Sequence, residues 1–182
     1  RGASFLSEES AKGRVIAALN RSRIALFNAH TNGDVAIDGV AQACADAIGL
    51  KDTEVFAPEG TNDRGQTIGL GRIGTISPMS LRQFARLVAK ALPAGPTGLL
   101  VGGDLEATVH RVAVSPGAGD SLLDQVLASG VDVFITADLR HHPASEFLEE
   151  GHCGLICASH WATETLWMPV LARKLREEAR RS

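Results

Sequence analysis

The sequence predicts an α/β protein, and three observations carry that prediction. Short apolar runs of strand length alternate with amphipathic stretches of roughly 8–18 residues, the pattern of α/β units around a largely parallel sheet. Apolar residues make up 45% and charged residues 21% of the 182-residue chain, enough to bury a real core in one domain or two small ones. No apolar run approaches the roughly 18–20 residues of a membrane span, so no membrane partner is expected.

Taken in order, Ser7 or Ser10 caps a first helix that runs to about Asn20, with Val15, Ile16 and Leu19 on its apolar face. Ile24 to Phe27 reads as a short strand ending at the turn from Asn28 to Asp34. A second helix is expected from Val35 to Ile48, stopped by Gly49. Val55 and Phe56 begin a strand, and Gly60 to Gly74 reads as a glycine-rich polar stretch. Pro78-Met79-Ser80 introduces an amphipathic helix from Leu81 to Leu92 that Pro93 ends. Strands follow at Gly98 to Val101 and Val109 to Val114, then a loop from Ser115 to Gly119 and a helix from Ser121 to Ala128. A strand from Asp132 to Thr136, a helix from Ala144 to Glu150, a strand from Cys153 to Cys157 and a last helix from Ala162 to Arg180 complete the chain.

Composition excludes several function classes. The formal charge of −3 leaves no bulk footprint for a polyanion, and the lack of tyrosine with 4% aromatic content argues against base stacking; nucleic acid is not indicated. Three cysteines without framework spacing suit reduced thiols in a cytoplasmic setting. Cys153 and Cys157 could join His152 or His160 at zinc, but a buried strand with thiols as small hydrophobes is the simpler reading. Ser115-Pro116-Gly117-Ala118-Gly119-Asp120 lacks the lysine of a phosphate loop and reads as a tight turn entering a helix. The chain opens at Arg1 rather than methionine, and an upstream segment is expected.

The sharpest chemical signal is Ser159-His160-Trp161-Ala162-Thr163-Glu164. On a helix, residues at i and i+4 share a face with Cβ atoms about 5–6 Å apart. An imidazole and a carboxylate so spaced can converge on one divalent cation. Asp34 is the upstream candidate for a third ligand, with capping of the helix at Val35 as its competing use. Candidate ligands recur where strands end: Asp34 after the first strand, Asp138, His141 and His142 after the strand at 132–136, His160 after the last. Sites in parallel α/β sheets form at such positions. His142 reads as a general acid or base, an orienting partner, or a helix-start residue without chemical duty. His30 either lines the same cavity or fastens its turn.

Five motifs in this order resemble the NIF-three-like dinuclear metal centre hexameric protein family, whose members are often labelled GTP cyclohydrolase 1 type 2 homologues. They are His30-Thr31-Asn32-Gly33-Asp34, Gly71-Arg72-Ile73-Gly74 with Met79-Ser80-Leu81, Arg111-Val112-Ala113-Val114, Thr136-Ala137-Asp138-Leu139-Arg140-His141-His142-Pro143-Ala144, and His160-x-x-x-Glu164. The resemblance implies a three-layer α/β/α fold with two similar subdomains, the first truncated at its N-terminus. It also implies residues 1–72 with 159–182 in one domain and 73–158 in the other. It makes Asp34, His160 and Glu164 metal ligands of a two-ion centre, Zn, Fe, Mn or Co being compatible; the family's His-His ligand pair is absent here. His142 and His30 are the catalytic candidates beside that centre. The implied function is metal-dependent hydrolysis in which a metal-activated water attacks the ring of a purine nucleotide such as GTP, in a homohexamer. A non-enzymatic ring-shaped oligomer and a metal-dependent phosphoesterase are the alternatives.

Overall fold

A computed structural model describes residues 6–181; Arg1, where the sequence opens, lies outside them. The chain forms two units, one ending at His30 and the other starting at Thr31.

In the first unit, α1 spans Ala11–Arg21, and the Ser10 hydroxyl caps it by accepting from the Gly13 amide at 3.0 Å. Arg21 pairs with Glu8 at 2.6 Å and holds that carboxyl below its ordinary range. The expected strand at Ile24–Phe27 is not formed: no ladder among the described residues includes it. Extended backbone becomes strand only when a neighbour takes its N–H and C=O groups. Ile24, Leu26 and Phe27 accordingly stand exposed, Phe27 at 86%.

The second unit is built on one six-stranded sheet in the order β1-β2-β4-β5-β6-β3. Its strands are β1 Lys51–Thr61, β2 Thr67–Ser80, β3 Leu100–Gly102, β4 Thr108–Ala118, β5 Val133–Ala137 and β6 Gly154–Ala158. Only β4–β5 and β5–β6 pair in parallel; β1–β2, β2–β4 and β3–β6 are antiparallel. The sheet is therefore mixed rather than largely parallel. Part of the difference arises at Gly60 to Gly74, read as a glycine-rich polar stretch but folded within the β1–β2 hairpin, which needs no crossover helix. Its glycines serve close approach: a Cβ on Gly69 would lie 2.1 Å from the Ala57 carbonyl oxygen. Strand β4 likewise runs through the expected 115–119 loop as far as Ala118.

Helices cover both faces of this sheet. On one, Val112, Val114, Val133, Ile135 and Ile156 meet α3 (Val40–Ala47), α4 (Leu81–Ala91) and α7 (His160–Glu164). On the other, the alternate residues Ala113, Phe134 and Leu155 meet α5 (Leu123–Ser129) and α6 (His141–Glu150). Period-two alternation along each strand thus yields the three-layer arrangement. Helix α4 starts as the sequence requires, with Ser80 and Gln83 forming a reciprocal capping box.

Two expected helices are divided. Residues 35–48 form the end of α2 (Thr31–Val35) and then α3, because the carbonyls of Ala36 and Ile37 turn to accept from the buried Arg72 guanidinium at 2.8 and 3.0 Å. The last helix separates into α7 and α8 (Trp167–Ala179). Among the described residues no helix is long and apolar enough to cross a membrane.

Burial also settles the cysteines. Cys44 and Cys153 are buried, and burial pushes each thiol up to about 12, with Asp132 adding to the effect at Cys153. Four residues of extended chain separate Cys153 from Cys157 by about 13 Å, too far to share an ion. Titration with a thiol reagent is expected to show one fast thiol, the partly exposed Cys157, with the other two reacting only on unfolding. Comparable rates for two or three thiols in the native chain would contradict this burial.

Candidate metal centre

The site lies where β4, β5 and β6 end. Ser159, the residue after β6, caps α7 by accepting from the Ala162 amide at 3.3 Å. That cap starts a single five-residue helix with His160 at its first position and Glu164 at its last. The ring Nε2 of His160 lies 2.8 Å from Oε1 of Glu164. Two ligands about 2.1 Å from one cation stand about 3.0 Å apart at a right angle and about 3.4 Å apart in tetrahedral geometry. The pair stands at hydrogen-bond distance, and opening it by a few tenths of an ångström would let both groups face one cation.

The second ring nitrogen, Nδ1, lies 2.7 Å from Oδ2 of Asp138. Asp138 directly follows β5 and holds a left-handed backbone, φ +52°. Hydrogen bonding to Asp138 foremost, and the charges of Glu164 and Asp138, hold the imidazole above its ordinary pKa against the opposing effect of desolvation. The His160 side chain remains 46% exposed and that of Glu164 41%, so the pair is open to solvent in this chain.

Gly117, near the end of β4, forms the wall opposite. Its φ is +72°, and a Cβ there would lie 2.8 Å from Glu164 Oε1 and 3.3 Å from His160 Nε2. Its amide donates to the Thr163 hydroxyl at 3.0 Å, and its carbonyl accepts from the Thr136 hydroxyl at 3.0 Å. Thr163 in turn donates to the His160 carbonyl at 2.8 Å. Both threonines are fully buried. A hydrogen-bonded frame from the ends of β4 and β5 and from α7 thus fixes the gap above the His160–Glu164 pair.

The remaining expected residues belong to other elements. Asp34 is on α2, next to Gly33, which packs beneath the Trp167 ring of α8. The Trp167 indole also donates to the Asp38 carbonyl at 3.1 Å. His142 is exposed on the first turn of α6, its ring edge-on to that of His141 at 5.3 Å between centroids. His30 is the last residue of the first unit. The structure brings His160 and Glu164 together, with Asp138 behind the ring. Among the described residues, however, no three His, Cys, Asp or Glu side chains form a group that would hold a metal ion. By donor chemistry and spacing, the residues present fit two ligands of a divalent cation.

Sequence reading missed two contributors. Asp138 was visible as a ligand-capable residue after a strand, but nothing in the sequence paired it with His160. Gly117 read as a turn residue, because proximity to a side chain 47 positions away leaves no local signal.

Comparisons with known proteins agree with this architecture. The family model for Duf34/NIF3 (NGG1p interacting factor 3) matches residues 1–182. A Streptomyces coelicolor protein named GTP cyclohydrolase 1 type 2 homolog is 45% identical over 178 residues, covering 97% of this chain and 62% of the relative. A Mycobacterium tuberculosis protein of the same name is 48% identical over 109 residues, 59% of this chain and 29% of that protein. The chain thus spans less than two thirds of these relatives. Among solved structures, a Bacillus cereus protein related to NIF3 superposes with a TM-score of 0.86 at 22% identity, covering 98% of this chain and 74% of the other. Reduced HcgD from Methanocaldococcus jannaschii gives 0.73 at 23% identity, covering 97% and 66%. With its whole length matched and its fold shared, the chain belongs to the Duf34/NIF3 family.

Proposed function

We propose that this chain contributes to a metal-dependent hydrolase of the cyclohydrolase type, acting on the ring of a purine nucleotide. One observation carries the metal part of the reading: His160 Nε2 and Glu164 Oε1 stand 2.8 Å apart on a capped helix at the strand ends. The substrate class rests on the name its relatives bear, GTP cyclohydrolase 1 type 2 homolog. When bound, divalent cations (Zn, Fe, Mn or Co, two in the proposed centre) supply a water of lowered pKa and polarise the group it attacks.

The chain's own residues do the rest. His160 and Glu164 ligate, with Asp34 as the proposed third ligand. The Gly117 frame keeps the ligand face clear of side chains. His142, exposed beyond the end of β5, is the proposed proton carrier, and His30 is the weaker candidate for that task. A homo-oligomer, hexameric by family resemblance, is proposed to enclose the site. The exposed Trp161, Met168 and Leu175 of α7 and α8 give it apolar surface to bury.

A second reading is a non-enzymatic metal-binding ring, and the half-open ligand pair supports it. Incubation of this chain with GTP and Zn²⁺ or Mn²⁺ separates these readings. Formate release that stops on chelation supports the cyclohydrolase. Phosphate release points to a phosphoesterase. Cation binding without turnover favours the ring.

A further inference from the structure

Most of the His160–Glu164 surroundings have an architectural task, and one residue stands out from them. Asp138 occupies the left-handed region at φ +52°, a backbone state that few residues other than glycine, asparagine and aspartate adopt. Its carboxylate does not cap the following helix: the N-cap of α6 is Arg140, whose side chain makes no capping bond. What the strained turn achieves is to aim Asp138 Oδ2 at His160 Nδ1, 2.7 Å away. The next carboxylate along, Asp120, is engaged by Arg140 and does not compete for the ring.

We infer that Asp138 is a positioning residue: it accepts the Nδ1–H of His160 and thereby presents Nε2 to Glu164 and to a cation. The inference rests on the metal reading above and adds a role to a residue outside the proposed ligand set. Thr163 holds the main-chain carbonyl of His160, and Asp138 holds the ring itself at Nδ1. An imidazole held in this way by a carboxylate has a defined tautomer and a more basic ligating nitrogen. Without Asp138 the ring keeps its helix but loses its rotational anchor, and either nitrogen can turn to the cation.

The test uses Co²⁺ as the probe and two substitutions in this chain. Asp138→Gly suits a left-handed backbone and removes the carboxylate, so the fold is retained, as circular dichroism will check. Asp138→Asn keeps an oxygen acceptor on a residue type that also tolerates that region. Relative to the unsubstituted chain, Co²⁺ affinity is expected to fall about 10–100-fold in Asp138→Gly and by less in Asp138→Asn. In the Co²⁺-loaded protein, an exchangeable, hyperfine-shifted ring N–H proton should be visible by NMR in water for the unsubstituted chain and Asp138→Asn. It should vanish in Asp138→Gly. Equal affinity and an unchanged ring proton in Asp138→Gly would overturn the positioning role and leave the metal reading standing. Loss as complete in Asp138→Asn as in Asp138→Gly, with the ring proton retained in both, would make Asp138 a ligand and overturn the role as stated. Absence of Co²⁺ binding by the unsubstituted chain would remove both readings together.

Discussion

Replacing Arg72 with methionine is expected to destabilise the second unit by about 3–5 kcal/mol. Arg72 is 2% exposed, and its guanidinium donates five hydrogen bonds: one to Gln42, two to the carbonyls of Gly69 and Gly71, and two to those of Ala36 and Ile37. Burial pulls its pKa down, with Asp38 and Asp46 opposing, yet an arginine stays charged in proteins. Methionine would fill part of the volume and leave those acceptors without a donor. Lysine should not rescue, because an ammonium cannot serve acceptors on a strand and on the α2–α3 connection at once. Urea unfolding measures the loss, and a change under about 1 kcal/mol would class Arg72 with ordinary surface positions.

Gly117→Ala should weaken cation binding sharply while costing the fold less. A methyl at φ +72° carries a backbone penalty of about 1–3 kcal/mol. It would also sit 2.8 Å from Glu164 Oε1, the free end of a flexible side chain. The carboxylate relieves that contact by swinging off His160, which breaks the 2.8 Å pair. The expected result is a modestly lowered unfolding midpoint together with Co²⁺ affinity reduced at least tenfold, about the loss of a single favourable contact of 1.4 kcal/mol. A normal midpoint and full affinity would mean that the Gly117 wall is not needed to hold the pair.

Local signals in the sequence were reliable where one residue type has one use. Ser10, one of two serines expected to cap the first helix, does so, and Gly49, at φ +82°, follows the helix it was expected to stop. Buried strands β5 and β6 were legible because both faces of the sheet are covered, which makes their sequences continuously apolar. What failed depends on distant partners. The β1–β2 hairpin was hidden because its glycines mark strand contact rather than a loop. The break after Val35 depends on Arg72, nearly forty residues on, and the 24–27 segment has strand composition without a ladder. At the site the same division holds: the i, i+4 spacing of His160 and Glu164 is local and was readable. The approach of Asp138 and Gly117 comes from the register of three strands.

His160 and Glu164 are proposed to ligate one divalent cation. Calorimetric titration of this chain with Co²⁺ or Zn²⁺, beside His160→Ala and Glu164→Gln, tests it most directly. The unsubstituted chain is expected to give a binding isotherm that both substitutions abolish or weaken by at least tenfold, about 1.4 kcal/mol. Binding that survives both substitutions unchanged would place any cation elsewhere and remove His160 and Glu164 as ligands.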